Sequence, residues 1–151
     1  LRTYTQGDFW EQYPEVLSGA SYLPPGNPAA AVTALGAPTA PCAEPTSLSV
    51  QEDAAALVCD NVPYLWMESA GAGWVEIPAA PARSVLISNG TLTLARATAE
   101  CDGIAVSTTP VVDPSAFQTS CQAGLDPASA IALAAGPDGV LMWSGDSVNR
   151  L

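Results

Sequence analysis

A repeated order of short apolar segments and tight turns runs through residues 42–151, and it restricts the chain to few architectures. The first copy has apolar segments at 47–50 and 54–59, each followed by a turn. The same order starts again at 84–88 and at 130–135, which gives a period of roughly 40 residues. Short apolar segments at such a period, separated by turns, are typical of stacked antiparallel β-sheets.

The predicted strands are short and are joined mainly by hairpin turns. Asn89-Gly90 and Asp138-Gly139 predict tight turns, because both dipeptides tolerate positive φ angles. Residues 111–124 contain proline and are interpreted as a longer irregular connection. The predicted strands are 47–50, 54–59, 62–68, 73–77, 84–88, 91–97, 103–108, 130–135, 139–143 and 146–150.

One segment, 65–77, resembles the turn between the third and fourth strands of sialidase-type propeller repeats. In that family the turn, called the Asp-box, has the pattern Ser-x-Asp-x-Gly-x-Thr-Trp. Ser69, Gly73 and Trp74 match a shortened version of this pattern, and a glycine replaces the Asp. The resemblance covers residues 42–151 and implies two propeller blades and part of a third.

The resemblance does not extend to a sialidase active site. Catalysis in that family uses an arginine triad, and no motif places Arg83, Arg96 and Arg150 in such a triad. Closed propellers have about 4–8 blades, so a chain of this length forms at most a partial one. We therefore predict a mainly β fold of antiparallel, propeller-blade-like repeats over 42–151, with a β-sandwich as the alternative.

Residues 1–41 are predicted to form a separate unit before this β-repeat domain. An amphipathic helix is predicted at 8–18, where Asp8 can cap the first turn. In one interpretation the helix packs on its own domain, and in the other it docks on a membrane or a partner. A Pro/Ala-rich connection follows, with one further predicted strand at 31–35. The apolar stripe of the helix consists of Phe9, Trp10, Tyr13, Val16 and Leu17.

Disulfides are the default interpretation of the four cysteines, which are Cys42, Cys59, Cys101 and Cys121. No CxxC motif and no histidine accompany them, whereas zinc sites need closer ligand pairs. Sequential pairing is predicted, because Cys42 precedes the first strand of a hairpin and Cys59 ends the second. The alternative is four buried thiols in a reduced protein. Disulfides imply an oxidising, extracytoplasmic compartment.

The first residue and the composition add an expectation about origin. The chain begins with Leu1 and not with methionine, so we expect it to be the exported part of a longer precursor, secreted or anchored by a removed N-terminal segment. Abundant Ala, Pro and Gly without any Lys favour a bacterial source with a high-GC genome.

The net charge of −11 restricts the choice of partners. Four arginines, with no Lys and no His, cannot neutralise the phosphates of a nucleic acid. Direct binding to an anionic membrane is excluded by the same sign argument. The acidic residues form a solvated surface in one interpretation and bind cations or a basic partner in the other.

No catalytic residue, cofactor or metal site is predicted. Histidine is absent, which excludes nucleophilic catalysis with a histidine base, and no phosphate-binding glycine loop occurs. Most acidic residues fall at turns, where their own backbone hydrogen bonds favour them. Asp102, Asp138 and Asp146 are candidates for a calcium site, but no Asp-x-Asp-x-Asp spacing supports one.

Three tryptophans of the β-repeat domain have two interpretations. Trp66, Trp74 and Trp143 either form a platform on which sugar rings stack or pack in the core and between sheets. The first interpretation makes the domain a glycan-binding module, and the second makes these residues structural.

Binding without catalysis is the expected function. The chain is predicted to be a binding or scaffold module of a bacterial cell-surface or secreted protein. A glycan-binding or sialidase-like glycan-processing domain is the alternative, and a calcium-dependent adhesion domain is a third. The last strand, 147–151, would be the third of a blade without a fourth, which leaves an open sheet edge. The strand at 31–35, a further copy of the chain or a partner protein would cover that edge.

Overall fold

The computed structural model describes residues 20–151, with the exception of positions 32, 34 and 72. The helix predicted at 8–18 lies outside the described residues. Within the part of the chain that is described, no helix has the length and apolar character needed to cross a membrane.

The strand predicted at 31–35 is wrong for its described members. Ala31, Thr33 and Leu35 lie outside any strand. The amide of Gly36 donates to the carbonyl of Thr33 (3.2 Å), and Gly36 has a φ angle of 68°. The backbone therefore turns where an extended segment was expected, and these residues do not complete a sheet.

The described residues form eleven β-strands and two short 3-10 turns, which confirms the prediction of a mainly β fold. Ten strands lie where the sequence pattern predicts them. The 3-10 turns are Pro28–Ala30 and Glu68–Ala70. The strands are β1 (Pro45–Gln51), β2 (Ala54–Cys59), β3 (Val62–Met67), β4 (Val75–Glu76), β5 (Ser84–Ser88), β6 (Thr91–Arg96), β7 (Gly103–Pro110), β8 (Gln118–Ala123), β9 (Ile131–Gly136), β10 (Gly139–Ser144) and β11 (Ser147–Arg150).

The strands form three antiparallel sheets, in which neighbours in sequence are also neighbours in the sheet. The first sheet contains β1 to β4, the second contains β5 to β8, and the third contains β9 to β11. Within the described residues, none of the three sheets closes on itself. The third sheet has three strands, one fewer than each of the other two.

The second sheet lies between the other two, because side chains alternate between its two faces. Leu92 and Leu94 point towards the first sheet and share an apolar cluster with Val58. Val106 points to the opposite face and packs with Met142 of the third sheet. The three sheets thus form a stack with two separate apolar interfaces.

The first strands of the three sheets lie side by side, since β5 contacts both β1 and β9. The amide of Val85 donates to Ser47 Oγ (3.2 Å), and the amide of Ile87 donates to Ser49 Oγ (2.8 Å). Serine hydroxyls of β1 therefore satisfy the β5 amides that face away from β6. This arrangement places the last strands, β4, β8 and β11, at the opposite edges of their sheets.

The irregular connection predicted at 111–124 is wrong for its second half, where β8 forms. This strand pairs with β7 along its whole length. Its side chains are mostly exposed and polar, so it lacks the apolar alternation from which strands are predicted. A hydrogen bond between Thr119 Oγ1 and Ser107 Oγ (2.9 Å) links the two strands.

Of the two predicted tight turns, the one at Asn89-Gly90 is confirmed, and the one at Asp138-Gly139 is shifted by one position. Asn89 and Gly90 have φ angles of 50° and 69°, as a primed hairpin turn requires. In the second hairpin Gly136 pairs with Gly139, so the corner residues are Pro137-Asp138, one position earlier than predicted. The fixed negative φ of proline suits the first corner of an ordinary turn and is incompatible with a primed one.

Both predicted disulfides are present, as sequential pairs. Cys42–Cys59 joins the segment before β1 to the end of β2, with its Cα atoms 5.7 Å apart. Cys101–Cys121 joins the loop before β7 to β8, with a Cα separation of 5.5 Å. Two such disulfides are typical of extracytoplasmic proteins.

Candidate functional site

The outer face of the third sheet is an apolar surface that is open to solvent. Alternation along β10 places Met142 against the second sheet, where it is fully buried, and places Leu141 and Trp143 on the outside. Trp143 is 59% exposed, and Val148, which pairs with it across β11, is 58% exposed. Large apolar side chains that adjoin one another on a protein surface mark interaction sites more often than single ones do.

The outer face of the first sheet is the equivalent surface at the other end of the stack, and it is buried. Trp66 pairs with Ala55 across β2 and β3, and their exposed fractions are 8% and 0%. Leu57, two residues further along β2, is also fully buried. The open apolar face is therefore a property of the third sheet and not of every sheet end.

The three tryptophans considered as a stacking platform or as packing residues do not share one surface. Trp66 and Trp143 lie on sheets at opposite ends of the stack. Trp74 lies in the connection to β4, is half-buried, and donates its indole N–H to the Pro38 carbonyl (3.0 Å). Of the three, Trp143 is the one that presents most of its surface to solvent.

The indole of Trp143 is fixed by its own turn. Its Nε1 donates to the carbonyl of Gly145 at 2.6 Å, in the turn between β10 and β11. The polar atom of the ring is thereby satisfied, while the ring remains exposed. A ring held in this way loses little conformational entropy when another surface covers it.

The outer edge of β11 has no strand paired with it among the described residues. The amide of Leu151 donates to Val140 of β10 (2.9 Å). Because main-chain groups alternate in direction along a strand, Val148 and Arg150 direct their N–H and C=O groups away from β10. The free edge thus offers two donors and two acceptors to another strand.

A second open edge, that of β8, has a different character. Its side chains are uncharged and mostly polar, so water can solvate both the backbone and most of the side chains around it. The edge of β11 instead adjoins Val148 and, one strand away, Trp143. The third sheet therefore combines an open edge with an open apolar face, and the second sheet does not.

Two polar residues of β11 lie on opposite faces of the strand, beside this edge. Arg150 donates to the main-chain carbonyl of Asp138 (2.7 Å), and its guanidinium lies 3.8 Å from the Asp138 carboxylate. Both side chains are largely exposed, so the pair contributes little to stability. Asn149 lies on the inner face, where its Nδ2 atom is buried without a hydrogen-bond partner among the described residues.

The calcium site considered from the sequence is not assembled. Asp138 and Asp146 lie in successive hairpin turns of the third sheet, at its opposite ends, and Asp102 lies in the loop before β7. Among the residues that the structure describes, no three His, Cys, Asp or Glu side chains come close enough to hold a metal ion.

The segment 65–77 contains the end of β3, the 3-10 turn Glu68–Ala70 and β4 of the first sheet. A comparison with models of known protein families finds no match to this chain, and a comparison with curated proteins finds none either.

Proposed function

We propose that the protein is a non-enzymatic scaffold module of a secreted or surface-anchored bacterial protein, and that it assembles through the open side of the third sheet. The observation that carries this proposal is that the outer edge of β11, which has no paired strand among the described residues, adjoins an exposed apolar face at Leu141, Trp143 and Val148. The blade-like interpretation of the three meanders is part of the same proposal. Their stacking, with first strands side by side, supports it.

The occupant that fits the edge best is a second copy of the same chain, in an isologous pair. In an antiparallel register centred on Asn149, Val148 of one chain lies opposite Arg150 of the second copy. Both residues direct their main-chain groups outwards, so this register forms about four main-chain hydrogen bonds, each worth about 0.5–1.5 kcal/mol. The pairing joins two three-stranded sheets into one continuous sheet.

The unsatisfied amide of Asn149 favours this register over others. At the two-fold axis the two Asn149 residues form a non-hydrogen-bonded pair, with Cα atoms about 4.5 Å apart. Rotation of the side-chain amide towards the axis lets each Nδ2 donate to the carbonyl oxygen of the other. The pairing therefore provides a partner for an atom that has none within the described chain.

Charge sets the conditions under which the pair forms. Two chains of net charge −11 repel each other at long range. Residues 147–150 contain no acidic residue, and Arg150 is neutralised by Asp138, so the contact itself carries little charge. Association is therefore expected to strengthen between about 0.15 and 1 M salt, where the Debye length falls from about 8 to 3 Å.

Sedimentation equilibrium of the full chain over a wide concentration range tests this proposal. We expect a mass that approaches twice that of the single chain as concentration rises. Val148→Pro removes an outward N–H without removing a hydrogen bond to β10, and proline is tolerated on a strand edge in that orientation. This variant is expected to remain folded and monomeric.

The matched control places proline on the edge of β8. The amide of Gly124 donates to the main-chain carbonyl of Asp102. Because main-chain groups alternate in direction along a strand, Ala123 directs its own N–H away from β7. Ala123→Pro is expected to associate as the unmodified chain does. A chain that stays monomeric at every concentration and salt, or equal effects of the two proline variants, would refute the proposal.

A further inference from the structure

A cleft of about 380 Å³ lies between the second and third sheets, and nothing in the scaffold role uses it. Side chains of β5, β6 and β7 line one wall, and the β9–β10 turn together with Leu151 lines the other. We infer that this cleft binds a neutral polyhydroxyl ligand, a single sugar ring or a disaccharide. This inference does not rest on the proposed self-association.

Four hydroxyls share one wall of the cleft. Ser88 pairs with Thr91 across β5 and β6, and Thr93 pairs with Thr108 across β6 and β7. Thr91 and Thr93 are two residues apart on one strand, so all four side chains point from the same face of the sheet. Hydroxyls of this kind both donate and accept hydrogen bonds, as sugar hydroxyls do.

Thr93 is the most buried of the four residues, at 3% exposed, and it lines the cleft. A ligand hydroxyl that reaches Thr93 can exchange a hydrogen bond with its side chain, whereas an apolar ligand cannot.

The remaining lining residues select against charged ligands. Among the described residues no Asp, Glu or Arg lines the cleft, so neither an anion nor a cation would meet an oppositely charged side chain from this part of the chain. Val106, Val140 and Leu151 provide apolar contacts for the C–H faces of a sugar ring. The volume falls at the lower end of the range of about 300–1,000 Å³ for ligand pockets, which suits one or two rings.

Two-dimensional NMR titration of the full chain tests the inference. The probes are glucose, galactose, mannose, N-acetylglucosamine and their common disaccharides, with glucuronate as an anionic counterpart of glucose. At least one neutral sugar is expected to shift the amide signals of Thr91, Thr93 and Thr108 in a saturable way. Glucuronate is expected to bind at least tenfold more weakly than glucose.

Thr93→Val keeps the β-branched shape and removes the hydroxyl, so the sheet is expected to remain intact. The dissociation constant of the binding sugar is expected to rise about tenfold or more. Thr119→Val, on the opposite face of the same sheet, is the control and should leave binding unchanged. Failure of every neutral sugar to shift these signals, unchanged binding by Thr93→Val, or preference for glucuronate would each overturn the inference.

Discussion

The first and third sheets are built from the same type of meander and occupy the two ends of one stack, but they treat their outer faces differently. The first sheet has four strands, a disulfide and a buried Trp66. The third has three strands, no cysteine and an exposed Trp143. Repetition of strands and turns therefore specifies a sheet, whereas the surroundings of the sheet decide whether its outer face is buried or open to solvent.

The largest expected effect separates the two tryptophans. Trp66→Ala removes a buried ring on β3, opposite Ala55 of β2, and it is expected to lower the free energy of unfolding by about 3–5 kcal/mol. Trp143→Ala is expected to lower it by less than about 1 kcal/mol, because most of the ring is already in water. Urea denaturation at one protein concentration measures both. Equal losses of free energy of unfolding would show that the outer faces of the two sheets do not differ in their contribution to stability.

A second expected effect concerns the covalent link of the first sheet. The bond between Cys42 and Cys59 spans a sequence separation of 17 residues, for which loop closure contributes about 3 kcal/mol. The double variant Cys42→Ala/Cys59→Ala is expected to lose about that amount in the same urea assay. The matched pair Cys101→Ala/Cys121→Ala, with a separation of 20 residues, should lose a similar amount from the second sheet. A loss well below 1 kcal/mol for the first pair would show that the link is not what stabilises this end of the stack.

The sequence predicts much of the fold because most strands are half-buried. Apolar side chains that alternate or run together between turn residues identify β2, β5 and β6 almost to their ends. The sequence pattern does not predict β8, because an edge strand exposed to water needs no apolar side chains. The shifted turn at Pro137 shows that a single fixed φ angle can override a favourable Asp-Gly pair.

The candidate site is less predictable than the fold. Trp66 and Trp143 occur in similar strand sequences, and only tertiary packing makes one buried and the other exposed. The open edge follows from counting strands, but the apolar face beside it needs the pairing of Val148 with Trp143. Thr91 and Thr93 resemble ordinary strand residues in sequence, because threonine is favoured in strands for its branched side chain alone. The hydroxyls of Thr91 and Thr93 line a cleft only because the third sheet packs opposite them.

Amide hydrogen exchange along β11 shows whether the open edge of the third sheet pairs with a second copy of the chain. In a single chain the amides of Asn149 and Leu151 are bonded to β10, while those of Val148 and Arg150 face solvent. We predict that protection of Val148 and Arg150 rises with protein concentration, towards that of their neighbours. Exchange of these two amides at the rate of an unstructured peptide, at the highest concentration and salt, would contradict it.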